Sequence, residues 1–139
     1  MEGIRVAAGV LLWRGTQAAP EFLLLRNARH GTWGFAKGHL EDGEDLVGGA
    51  LRECREETSL ALNPADLLPQ FADTSIYLTA GGKRKRVVLF LAARPTQDAA
   101  VMRSHEHDAH EWWTLETAMT RLAYEELRRS LVRAASRLA

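Results

Sequence analysis

The sequence predicts an α/β protein, and three observations predict it. Apolar runs at Ile4–Trp13, Glu21–Arg26 and Val87–Ala93, rich in β-branched and aliphatic residues, read as strands. Residues 42–60 carry an amphipathic pattern of helical period. A second such pattern fills Leu115–Ala139. With 139 residues the chain is long enough for a real core, and it is read as one domain over 1–139.

Composition narrows the partners. Lysine plus arginine (18) equals aspartate plus glutamate (18), so no basic field advertises nucleic acid, which is excluded as a partner. The single cysteine, Cys54, falls inside the predicted helix and cannot form an internal disulfide, which points to a reducing compartment. The chain opens Met1-Glu2-Gly3 and Arg5 breaks the apolar run that follows, so neither a signal peptide nor a membrane span is expected. The expectation is a cytoplasmic domain, monomer or homodimer, acting on a small molecule and not on a membrane.

Taken in order, Ile4–Trp13 is a buried strand, Arg14–Pro20 a polar turn and Glu21–Arg26 a second strand. Asn27–Thr32 is a loop carrying Arg29 and His30, and Trp33-Gly34-Phe35 leads into Ala36–His39. The first helix is expected to start near Asp42–Glu44, with an acidic first turn suited to its dipole. Gly48 and Gly49 inside it each cost about 1 kcal/mol relative to alanine. Gly49 either leaves room for a loop or polyphosphate or lets the helix pack closely. Asn63-Pro64 ends this unit. Leu67–Thr79 and Val87–Ala93 form a hairpin through Ala80-Gly81-Gly82, with Lys83-Arg84-Lys85-Arg86 at its tip. Pro95–Arg103 is a loop and His110–Trp113 a short strand. Leu115–Ala139 is one terminal helix with Ala118, Leu122, Leu127, Leu131, Ala134 and Leu138 facing inward. Trp13, Phe22, Phe71 and Phe90 belong to the core, and one of Trp112 and Trp113 should be buried.

The stretch that carries chemistry is Gly38–Leu60. At about 100° per helical residue, Glu53, Glu56 and Glu57 share one face. The apolar set Leu46, Val47, Ala50, Leu51 and Cys54 lies on the adjacent stripe. Like carboxylates one turn apart repel by a few tenths of a kcal/mol. A hard divalent cation such as Mg²⁺, which takes oxygen ligands and substrate phosphates, relieves that repulsion. A solvated acidic face is the bland alternative, and the fixed distances to Gly38 and Glu44 weigh against it. Lys37 is either a point charge for a phosphate or an ordinary surface lysine. The basic tip is either a solvated turn or a set of cations for outer phosphates, with Lys83 and Lys85 the preferred pair.

Residues 38–60 resemble the Nudix box, GX5EX7REUXEEXGU, matching at Gly38, Glu44, Arg52, Glu53, Glu56, Glu57 and Leu60. Ser59 stands where that family has glycine, and Cys54 where it has a bulky aliphatic. Beyond the box, EFLLLR, WGFAKGHLEDGE, KRKRVV and SHEHDAHEWWTLETA are similar to asymmetrical diadenosine tetraphosphate hydrolases of the animal and archaeal kind, over Glu21 to about Tyr124. Ala36 and Thr32 depart from that pattern.

The resemblance implies an α/β/α sandwich with a mixed β-sheet between helices. It implies Mg²⁺, with Mn²⁺ able to substitute, held by Glu53, Glu56, Glu57 and the Gly38 carbonyl. The general base is one of Glu53, Glu56 and Glu106; Arg52 orients Glu53, and Glu44 is a structural or outer-sphere acid. Tyr77 and Tyr124 match the aromatic clamp of these hydrolases, against a plain reading as amphipathic tyrosines at the core margin. The expected reaction converts diadenosine tetraphosphate to ATP and AMP. A nucleoside triphosphate pyrophosphohydrolase is the alternative, and a non-catalytic nucleotide sensor the alternative of another class.

Overall fold

A computed structural model of the chain describes residues 4–79, 81–95 and 101–139. Met1–Gly3, Ala80 of the predicted hairpin turn and residues 96–100 of the predicted Pro95–Arg103 loop lie outside the described residues. The strands are β1 (Arg5–Thr16), β2 (Ala19–Asn27), β3 (Trp33–Gly34), β4 (Ala36–His39), β5 (Asp73–Leu78), β6 (Arg84–Ala93) and β7 (His107–Thr114). The helices are α1 (Leu46–Thr58), α2 (Leu115–Arg121) and α3 (Glu125–Leu138).

Strand β1 organises the sheet. Along one edge it runs parallel to β6, from Arg5 opposite Lys85 to Trp13 opposite Ala93. Along the other it changes partner, pairing antiparallel first with β4 (Ala7–Val10) and then with β2 (Trp13–Thr16). β5 lies outside β6, while β3 and β7 pair with β2. The sheet is therefore mixed.

Successive side chains of β1 point to opposite faces, and both faces are covered. Ala7 and Leu11 join one core with Phe22, Leu24, Leu122 and Leu131, which is the side of α2 and α3. Ala8, Val10 and Leu12 join a second core with Leu23, Ala50 and Cys54, which is the side of α1. This is the expected α/β/α sandwich. Each fully buried leucine or valine contributes about 1.5–3 kcal/mol. No helix among the described residues is long and apolar enough to cross a membrane.

Several boundaries differ from expectation for local reasons. Helix α1 starts at Leu46, because the Asp45 side chain accepts from Gly48 N–H at 2.7 Å and caps it. The expected acidic first turn is thus outside the helix. The hairpin's first strand is shorter than Leu67–Thr79: a 3₁₀ turn occupies Pro64–Asp66, and Gln70, next to Pro69, sits at φ 60°. β5 begins only at Asp73.

The terminal helix is two helices. Leu122 leaves helical geometry (ψ 120°) while its side chain stays in the core, and Arg128 Nη1 donates to its carbonyl at 2.7 Å. All six predicted inward residues are buried nonetheless. Phe22 is fully buried, whereas Trp13, Phe71 and Phe90 are partly buried at the core margins. Trp112 and Trp113 are both half-buried, on opposite faces, each with an arginine over its ring (Arg14 and Arg121).

Gly49 packs against Leu40 of the loop after β4, whose Cδ2 a Cβ at that position would meet at 2.2 Å, so the glycine leaves room for a loop and not for close helix–sheet packing. Gly9 is tighter still. It pairs with Lys37 across β1 and β4, and a Cβ there would fall 2.2 Å from the Ala36 carbonyl oxygen and 2.4 Å from Lys37 Cβ. Since the obstruction includes backbone, it cannot swing aside. Gly9→Ala is expected to destabilise by about 3 kcal/mol, at the upper end of overpacking costs. Chemical denaturation checks this; a loss under about 1 kcal/mol would mean that β4 can shift.

Candidate active site

The acidic face of α1 is assembled around Arg52. Its Nε donates to Glu44 Oε2 at 2.7 Å and its Nη2 to Glu44 Oε1 at 2.9 Å, a bidentate pair. Nη1 donates to Glu53 Oε1 at 2.9 Å and to Glu56 Oε2 at 2.9 Å. Nη2 also donates to the His39 carbonyl at 3.0 Å, and Glu41 lies 3.0 Å from Nε. One guanidinium thus joins the end of β4, the loop after it and α1. Hydrogen bonding to Arg52, then to the Glu41 N–H, holds the Glu44 carboxyl at about 2, well below its ordinary value.

Glu57 is in a different state. It is 5% exposed, and its Oε1 has no hydrogen-bond partner within the protein. Burial, reinforced by hydrogen bonding and charge from Glu53, pushes its carboxyl up to about 9. His107 Nε2 stands 3.8 Å from that oxygen, too far for a hydrogen bond. Burial draws the Lys37 ammonium below its ordinary value, opposed by Glu57 and Glu53. Gly38 abuts this cluster: a Cβ there would fall 2.3 Å from the Glu53 carboxylate.

Among the described residues, no three carboxylate, histidine or cysteine side chains converge as a finished metal centre. Arg52 engages Glu53 and Glu56. The donor set nonetheless fits a hard cation in chemistry: it is all oxygen, and Glu57, whose carboxyl burial and the neighbouring Glu53 push upward, has a buried oxygen without a partner.

Two cavities adjoin this cluster. One of about 700 Å³ is acidic, lined by Gly38, Arg52, Glu53 and Glu56. The other, of about 570 Å³, is aromatic and basic, lined by Trp33, Phe35, Tyr77, Lys85, Tyr124 and Leu127. Lys37, Glu57 and Glu106 line both. Volumes of this size suit a small organic ligand.

The elements explain the grouping. Tyr77 faces Lys85 across the β5–β6 pair. Burial, with Lys37 and Arg5 nearby, pulls Lys85 down to about 8. Tyr124 is 54% exposed on the link between α2 and α3. Lys83 is exposed before β6, with its carbonyl accepting from Thr79 N–H at 2.8 Å, and lines neither cavity.

Sequence reasoning missed three ionisable residues that line the aromatic cavity. His30, read as a loop residue, lines the aromatic cavity. So does Glu126, hidden within what read as a continuous helix, and His107, which drew notice only as part of the SHEH stretch.

The NUDIX domain family model matches residues 3–135. The Caenorhabditis elegans bis(5'-nucleosyl)-tetraphosphatase [asymmetrical] is 35% identical over 124 residues, 87% of each chain. The Rattus norvegicus protein of that name is 35% identical over 113 residues, 80% of this chain and 76% of that one. Among solved structures, a binary complex of C. elegans Ap4A hydrolase has a TM-score of 0.83 at 34% identity, covering 96% of both chains.

The Glu44–Arg52 pair generates a prediction with a definite sign. Because the folded carboxyl titrates near 2 and an unfolded glutamate near 4.5, the pair stabilises fully above the unfolded value. That contribution drains away as pH falls through this window. Urea denaturation of the parent and Glu44→Gln should therefore show a gap in stability at pH 6 that narrows towards pH 3. A gap independent of pH would mean that ionisation of Glu44 is not what stabilises.

Proposed function

Because the chain belongs to the Nudix family and is a Nudix hydrolase, we propose that it cleaves diadenosine tetraphosphate into ATP and AMP with Mg²⁺ as cofactor. The observation that carries this reading is the junction at Lys37, Glu57 and Glu106, which line both the acidic cavity and the aromatic one. A polyphosphate lying across that junction keeps its adenosine among aromatic rings and its scissile bond beside the carboxylates.

Each residue then has a task. Tyr77 and Tyr124 stack on adenine, an interaction worth about 1–3 kcal/mol per base in nucleic-acid complexes. Lys37 and Lys85 neutralise phosphate oxygens, and the lowered Lys85 regains its proton fully when a phosphate arrives. Lys83 lies outside both cavities and is given no part in this reading.

Glu53, Glu56, Glu57 and the Gly38 carbonyl would hold the cation, for which Mn²⁺ can substitute. Bound there, it lends positive charge to phosphate oxygens and acidifies nearby water. Glu53 and Glu56 are engaged by Arg52, whereas Glu106 makes no ion pair with a described residue. Glu106 is accordingly the base: its carboxylate takes a proton from water as the oxygen bonds to an off-centre phosphorus and the P–O bond to the leaving triphosphate breaks. Arg52 keeps Glu53 in place and does not touch substrate.

With Mg²⁺, diadenosine tetraphosphate should give ATP and AMP in equal amounts, with ¹⁸O from labelled water in one product only. Glu56→Gln and Glu57→Gln should each cut turnover by about 100-fold or more, since even outer-shell changes at metal sites cost about 10–100-fold. ADP as the major product would contradict the substrate assignment. Faster turnover of nucleoside triphosphates would favour that alternative, and no turnover of either would favour a sensor.

The clamp is tested separately. Tyr77→Ala and Tyr124→Ala should each raise KM by about tenfold, the equivalent of about 1.4 kcal/mol of lost stacking. Phenylalanine at either position should be mild. Unchanged KM in both folded alanine variants would remove the tyrosines from adenine binding.

A further inference from the structure

Helix α1 ends on a residue in a conformation that glycine takes more easily. Ser59 sits at φ 66°, ψ 9°, with its N–H donating to the Arg55 carbonyl at 2.8 Å. An L side chain in this left-handed region is disfavoured. Yet the Ser59 hydroxyl donates to the Met102 carbonyl at 2.9 Å.

That bond lands on the loop of residues 101–106, which leads to Glu106 and β7. The loop is laced to the end of α1 by two backbone bonds: Met102 N–H to the Thr58 carbonyl at 2.8 Å, and Ser104 N–H to the Glu57 carbonyl at 3.3 Å. Both satisfy carbonyls that a helix end leaves without partners. Side chains add little else here. Glu57 Oε1, Ser104 Oγ and His107 Nδ1 are buried without hydrogen-bond partners. Among the described residues, Ser59 makes the one side-chain hydrogen bond between the α1 cap and this loop. Beyond the loop, the Glu106 carbonyl accepts from Ala28 N–H at 2.9 Å, so the Glu106 backbone is held from the other side.

We infer that Ser59 is a positioning residue: its hydroxyl fixes the 101–106 loop on α1 and thereby sets where Glu106 meets the junction of the two cavities. The inference rests on the proposed role of Glu106 as the base. It also gives a physical reason for serine at a helix end that glycine would relax. The helix keeps a less favourable cap, and the loop gains a tether.

The test separates stability from turnover. Ser59→Gly removes the hydroxyl and eases the backbone, so its urea midpoint should equal or exceed that of the parent. Its kcat should nevertheless fall about three- to tenfold, as for loss of one modest hydrogen bond, with KM unchanged. Amide exchange at residues 102–106 should quicken. Ser59→Asn, which tolerates the left-handed backbone and retains an N–H donor, should recover most of kcat. In a Glu106→Gln background, Ser59→Gly should have no further effect on kcat.

Parental kcat in Ser59→Gly together with an impaired Glu106→Gln would overturn the inference alone. A loss that persists in the Glu106→Gln background, or that follows a drop in the urea midpoint, would do the same. Parental activity of Glu106→Gln would overturn the role of Glu106 itself, and the inference with it.

Discussion

Five carboxylates crowd the end of β4 and one face of α1, and a single guanidinium makes that crowding tolerable. Arg52 contacts Glu41, Glu44, Glu53 and Glu56 at 2.7–3.0 Å and also holds the His39 carbonyl. Coulomb attraction at contact outweighs repulsions acting over longer paths. The same contacts fasten β4 and its following loop to α1, so charge balance and geometry are solved by one side chain. Glu57 is left out of this arrangement, buried and without a partner for Oε1. That oxygen is therefore free to meet the proposed cation.

The cleft has two electrical halves. Burial lowers the basicity of Lys85, and Lys37 and Arg5 add to the effect. On the other side stand Glu53 and Glu57, which pull Lys37 the opposite way. A polyanion is drawn towards the basic half and repelled by the acidic half unless a cation is present. Under the proposed function, substrate binding and metal loading would thus be coupled by electrostatics. Because much of this field is partly buried, salt screens it less than it screens surface pairs.

How much of this was legible follows from how local each signal is. The carboxylate face of α1 and its apolar stripe came directly from helical spacing, and the two-sided burial of β1 from its continuous apolar run. The α2–α3 break was hidden, because Leu122 keeps the apolar period while turning out of the helix; its carbonyl is satisfied by Arg128. Glu126 was concealed by the same break. The short β5 reflects Gln70 at φ 60° after Pro69, a backbone state that residue type alone does not announce. The true neighbour of Gly49 was Leu40, a contact made only once the loop folds back. The half-burial of both tryptophans depends on arginines brought in from β1 and α2.

The two jaws around the aromatic cavity differ from the acid cluster in how they are anchored. Gly38 is locked to β1 through a strand pair so tight that Gly9 admits no Cβ, and the Glu53 carboxylate packs against Gly38. Tyr77 lies on the outermost strand and Tyr124 on a short interhelical link, places where sequence and length vary at little cost to a fold. If the proposed roles hold, the base-holding half of such a molecule can be rewritten over evolutionary time while the bond-breaking half stays fixed. One scaffold can then spread across many nucleotide-like compounds without reinventing its chemistry.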